Sequence, residues 1–294
     1  SISEDWKTTK KKSELVVMWQ KAKTSRRLSI VSVILGEGTT LAYTVRMFYV
    51  LFYNEEQVKP LYMHGSFPYD TQKNPNFQIT WVLQIIATLM SSGIFSAVDA
   101  LFISFVLHLC GQLTNLQVAF SEMGTKGPIA GPAFFKSMEI LVRKHQRINE
   151  FADIIEYSFN IMFLCQVFLS TLLLCLQGYL FVITITSGEI VIVEMIFMLY
   201  FTICFTFSIF VYCYVAELLR EEVAKLGTSI FYCKWYNLPA KEARLLILSL
   251  LRVKKPLEIT AGKLCVFSLN LFCVILKTAA GYMSMLLAVK DKLT

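Results

Sequence analysis

Four charged side chains, Glu37, Arg46, Asp99 and Lys277, lie inside long apolar stretches. Such a group is costly to bury in lipid, so it marks a ligand contact, an ion path or a partner on another helix. Glu37 and Arg46 are nine residues apart, half a turn out of phase on a helix, so they do not pair with each other. Asp99 is a candidate partner for Lys277. Catalytic patterns are missing: there is no G-x-x-x-x-G-K, G-x-G-x-x-G, H-E-x-x-H or G-x-S-x-G. The three histidines, His64, His108 and His145, are too scattered for a site and read as solvated or structural. None of the eight cysteines has C-x-x-C spacing, so they read as free thiols. The expectation is a protein with no enzymatic activity, no metal and no cofactor.

The elements that carry these charges are hydrophobic beyond what a soluble fold can hide. Apolar residues make up 55% of the chain, against about 45–50% in globular proteins even with Gly counted. Charged residues are 17%, against about 25% usually. The mean hydropathy is +0.56. About 20 apolar residues cross a bilayer core, and five stretches are long enough: 28–53, 78–110, 157–186, 190–215 and 259–289. The fold class is therefore an all-α integral membrane protein, a single transmembrane domain over 1–294 with five visible membrane helices. A tight turn at Ser187–Glu189 joins the third and fourth.

Basic residues orient these spans. Residues 1–27 carry eight Lys/Arg, 111–154 five and 218–263 nine, 22 in all; the opposite ends carry 4. The richer side is cytoplasmic, so the chain starts inside and ends outside. The same clustering between apolar runs argues against nucleic-acid binding, which needs a basic face on a polar, foldable surface. Segments 111–156 and 218–258 form a cytoplasmic anchor. Within 134–156, Ile140, Ile148, Phe151 and Ile155 share roughly one helical face, so the third span begins as a helix below the membrane. Residues 239–252 read as a second amphipathic helix, with Asn237 able to cap it, Pro239 in its first turn and Pro256 ending it.

The C-terminal run is the most specific feature. Residues 268–290 read SLNLFCVILKTAAGYMSMLLAVK, preceded by EITAGKLCVFSL and by YCKWYNLP at 232–239. With DW at 5–6, RRLS at 26–29 and PNFQITWVLQ at 75–84, this resembles the insect odorant receptor family. Those are seven-span proteins with a cytoplasmic N-terminus and an external C-terminus. The resemblance covers spans three to seven; Ser1 is not an initiator Met, and an N-terminally truncated chain is expected. A seven-span G-protein-coupled receptor fits poorly, because its D-R-Y and N-P-x-x-Y signatures are missing and residues 1–27 are basic. Gustatory relatives end in T-Y, five apolar residues and Q-F, whereas here Gly281 precedes Tyr282 and no Gln-Phe follows. The olfactory co-receptor has a long insertion where this chain has only 111–133. An odorant-tuned subunit remains, with a gustatory-type chemoreceptor channel or a pore-less receptor or transporter as alternatives.

The resemblance implies a heterotetramer with an olfactory co-receptor in the plasma membrane, opened as a non-selective cation channel by a small apolar odorant. It implies pore-gate positions at Met285 and Val289, two apolar residues four apart that can close a pore by dewetting. An odorant site should be apolar and aromatic with few polar groups. Thr40, Tyr43, Thr44 and Met47 form an i, i+3, i+4, i+7 face on the first visible span; Trp81 and Thr88 come from the second, and Phe197, Tyr200 and Phe201 from the fourth. Lys277, eight residues before Met285, should face a cytoplasmic-side vestibule or a partner.

Overall fold

Backbone groups in lipid must be satisfied within their own segment, which leaves helices as the only answer to the five apolar runs. The computed structural model describes residues 2–8, 11–53, 59–125, 131–186, 192–233, 235–255 and 257–293. It contains α1 (Ile2–Thr8), α2 (Lys12–Tyr53), α3 (Asn76–Thr125), α4 (Pro132–Thr186), α5 (Ile192–Tyr232), α6 (Ala240–Val253) and α7 (Leu269–Leu293). A two-stranded hairpin, β1 (Thr260–Ala261) and β2 (Cys265–Val266), precedes α7. Helices α2, α3, α4, α5 and α7 are long and apolar enough to cross a membrane. The turn expected at Ser187–Glu189 lies outside the described residues, as do Pro256 and parts of 54–77 and 111–133.

The long helices overrun the bilayer. With 55 residues, α4 is about 80 Å long at a 1.5 Å rise, against a core of about 30 Å. From the ends of the apolar stretches onward, they pack on one another. Phe102, Ile103, Leu107, Leu113, Leu116 and Phe120 of α3 are fully buried, against Phe134 and Ile155 of α4, Leu219 and Leu226 of α5 and Leu246 of α6. Elsewhere apolar side chains point outward: Ile34, Leu41 and Val45 of α2 and Ile161 and Phe168 of α4 are at least 60% exposed. In lipid such a face needs no protein partner.

Helix α6 buries Glu242, Leu246, Ser249 and Val253, an i, i+4, i+7, i+11 stripe. Asn237 does not cap it. It ends a short 3₁₀ turn at Trp235–Asn237, and Pro239 occupies the cap position, its carbonyl accepting the N–H of Glu242 at 2.9 Å. Glu242 reaches the start of α4 instead, where its Oε1 accepts the Gly131 N–H at 2.8 Å. A carboxylate there also suits the positive end of the helix dipole.

The last span is shorter than the apolar run that encodes it. Residues 259–268 were expected to be membrane helix, yet they form the hairpin, and α7 starts only at Leu269. Gly262 (φ 62°) and Lys263 (φ 57°) are both left-handed, the geometry of a tight hairpin turn. The turn docks on α4: Gly262 N–H donates to the Asn160 carbonyl and Lys263 N–H to Asn160 Oδ1, each at 3.1 Å. A Cβ at position 262 would sit 2.5 Å from Leu164 Cδ2, so glycine is required for this approach.

Candidate functional site

One end of α2 and α3, together with the segment 59–75 between them, builds an aromatic cluster. Tyr62 from that segment is fully buried among Met47, Phe77 and Trp81. Tyr43 Oη donates to the Tyr62 carbonyl at 2.8 Å, and the Thr44 and Tyr62 hydroxyls lie 3.0 Å apart. The Tyr43 and Tyr62 rings meet edge to face at 5.1 Å, and Tyr62 and Trp81 at 5.6 Å. Such pairs each add about 0.5–1.5 kcal/mol beyond their buried area. Trp81 Nε1 is buried and lacks an acceptor among the described residues.

Helix α5 closes the side of this cluster. Phe197 lies 6.1 Å from Tyr43, and the Arg46 guanidinium sits over Phe197 at 5.7 Å while binding Glu194 at 2.7 Å. Tyr200 Oη donates to the Leu35 carbonyl at 3.4 Å and presses against Gly38, where a Cβ would be 2.5 Å away. Thr40 is buried, its hydroxyl at 3.5 Å from the Gly36 carbonyl.

The structure thus brings together Thr40, Tyr43, Thr44, Met47, Trp81, Phe197 and Tyr200. Phe201 extends the row along α5 through Phe197 and Phe205. Thr88 stands apart, donating to the Gln84 carbonyl and lying 3.8 Å from Met63 Sδ. Tyr62 and Glu194 were not singled out from sequence. Tyr62 lies in a loop with no periodicity, whereas Glu194 lies inside the apolar stretch 190–215 and carried the same signal as Arg46, a charge within a span.

The remaining intramembrane charges have distinct fates. Glu37 Oε1 accepts from Ser92 at 3.1 Å and Ser96 at 3.5 Å, both on α3. Asp99 is not the partner of Lys277. Tyr212 of α5 donates to it, and Gln166 of α4 donates to the Tyr212 hydroxyl at 2.7 Å, which ties three helices together. Lys277 is exposed on α7 and makes no ion pair with a described residue.

Helix α7 packs through Ile275 and Ala279, with Met283 against Gly178 of α4. Met285 and Val289 point away from that contact, at 64% and 45% exposure. No group of three or more potential metal ligands occurs among the described residues.

Comparison with known proteins adds four findings. A family model described as 7tm Odorant receptor matches residues 2–280. The chain is 24% identical over 250 residues to Odorant receptor 13a of Drosophila melanogaster, covering 80% of this chain and 59% of that protein. Against Odorant receptor 10 of Aedes albopictus it is 26% identical over 271 residues, covering 89% and 68%. The fold is similar to the solved insect olfactory receptor OR5 from Machilis hrabei in complex with eugenol, with a TM-score of 0.78 and 17% identity, over 94% of this chain and 69% of that one.

Proposed function

Because the chain belongs to the 7tm odorant receptor family, we propose that it is the odorant-tuned part of a ligand-gated, non-selective cation channel. The chain spans 59% of the length of one curated relative. In this reading it works with an olfactory co-receptor in a plasma-membrane heterotetramer. Residues 111–133 and 218–255 face the cytoplasm and 54–77 the outside, as the 22-to-4 division of Lys/Arg supports.

The observation that carries the ligand reading is the aromatic cluster of Tyr43, Tyr62, Trp81 and Phe197, whose tyrosine hydroxyls are bonded internally and whose indole N–H has no acceptor among the described residues. Chemistry of this kind suits a small apolar molecule bearing one oxygen acceptor, held by Thr40, Tyr43, Thr44, Met47, Trp81, Phe197, Tyr200 and Phe201. Thr88, which stands apart from the cluster, is left out of that site.

Opening is read on α7. Met285 and Val289 lie four residues apart on the helix and are 64% and 45% exposed, which supports their use as an apolar constriction between subunits. The test is current across the membrane of cells expressing the chain with a co-receptor. Met285→Ser or Val289→Ser wets the constriction and raises current without odorant, whereas Leu287→Ser, two residues or about 200° around the helix, does not. Unchanged basal current and ion selectivity in both, at normal surface levels, would remove the gate assignment.

A further inference from the structure

A cavity of about 620 Å³ lies between α1, α2 and α3, lined in part by Trp6, Lys21, Arg26, Ser29, Ser104 and His108. Its size is that of a small-molecule site. On α2 it falls where the apolar stretch at 28–53 meets the basic residues 1–27, and on α3 near the end of the apolar stretch at 78–110, the depth at which headgroups sit. Trp6, packed edge to face on Trp19 at 6.0 Å, suits the same depth.

The charges around the cavity do not cancel. Lys21 is taken by Glu222 at 3.1 Å, and His108 by Asp5, which also binds Arg147 at 3.0 Å. Arg26 is exposed and makes no ion pair with a described residue. Ser25 and Ser104 satisfy each other at 3.1 Å, but Ser29 Oγ is shielded from solvent and has no hydrogen-bond partner among the described residues. Ser29 is one of the residues that line the cavity. A spare guanidinium and an unused hydroxyl beside an apolar wall match a phosphate carried on an acyl glycerol.

We propose that this cavity holds the headgroup of an anionic phospholipid from the cytoplasmic leaflet, its net negative charge balanced by Arg26 and its phosphate within reach of Ser29; a zwitterionic headgroup would bring its own cation to the same unbalanced positive site. The assignment rests on the proposed orientation, which puts the cavity against the leaflet where anionic lipids reside. A lipid there ties α1 to α2 and α3.

The test is native mass spectrometry of the full chain in detergent with equal amounts of dioctanoyl phosphatidylserine and dioctanoyl phosphatidylcholine. One phosphatidylserine is retained in preference to phosphatidylcholine. Arg26→Gln lowers its occupancy about five-fold, the worth of one cationic side chain at a charged surface, and Arg26→Lys keeps most of it. Lys23→Gln, exposed on the same helix but outside the cavity, changes nothing. Ser29→Leu removes the hydroxyl, narrows the cavity beside Arg26 and lowers the adduct, with the melting temperature reporting that the variant is folded. Equal retention of both lipids, or equal losses in Lys23→Gln and Arg26→Gln, overturns the site. Displacement by an equal concentration of glycerol 3-phosphate overturns the lipid as its source. Binding in detergent needs no bilayer, so a tag found on the wrong membrane face would overturn the orientation while a retained adduct would still support the cavity.

Discussion

At the scale of single residues, buried polar atoms carry most of the chemistry. The Trp81 indole is enclosed by Phe48, Tyr62 and Met47, and its N–H meets no acceptor among the described residues. A ligand oxygen placed there gains a hydrogen bond of about 1 kcal/mol net, roughly five-fold in affinity. Trp81→Phe is therefore expected to weaken responses to small ketones and esters by about that factor. Responses to hydrocarbons of the same shape should hold, and equal losses for both sets in dose–response currents would remove the indole from ligand recognition. Gly262 is constrained by backbone instead. Its left-handed φ and the nearby Leu164 leave no room for a side chain, so Gly262→Ala should cost about 1–3 kcal/mol. A lowered melting temperature in detergent would register that loss.

At the scale of elements, Glu222 joins three helices in the projecting bundle. Its carboxylate on α5 binds Lys21 of α2 at 3.1 Å and accepts from Thr114 at 3.0 Å and Gln117 at 2.9 Å on α3. Burial pushes this carboxyl up. Hydrogen bonds from Gln117, Lys21 and Thr114, with the Lys21 charge, outweigh burial and hold it below the ordinary glutamate value of 4.5. Because the folded value is the lower one, the ionised carboxylate stabilises the fold fully above about pH 4.5 and loses that contribution as pH falls through the folded value. Melting temperature should thus be insensitive to Glu222 titration between pH 7 and 5 and decline below it. Glu222→Ala should lower stability at pH 7 by about 1–3 kcal/mol, since Lys21, Thr114 and Gln117 lose their partner, and should flatten the acid limb. An acid limb as steep in Glu222→Ala as in the parent chain would assign it to other carboxylates.

At the scale of the whole molecule, the orientation proposed from Lys/Arg counts has a direct check. An epitope inserted near Ser66, in the exposed stretch Met63–Ser66, should be labelled on intact cells, and one between Lys254 and Lys255 only after permeabilisation. The reverse pattern would invert the molecule. Five membrane-length helices were legible in the sequence because crossing lipid is a local requirement: each span must be apolar over about 20 residues whatever its neighbours are. The family was legible for a related reason, as residues 268–290 sit in one continuous stretch. Partnership is different. Arg46 and Glu194 are 148 residues apart, and Tyr212 and Asp99 are 113 apart, so no spacing announces either pair. Nor does hydropathy separate the hairpin at 260–266 from the helix that follows, since a docked strand and a membrane helix can be equally apolar; only contact with Asn160 and Leu164 of α4 divides them. Sequence alone thus determined what each segment needs from its solvent, while tertiary packing decided which segment meets which, because solvent preference is a property of one stretch and pairing a property of two.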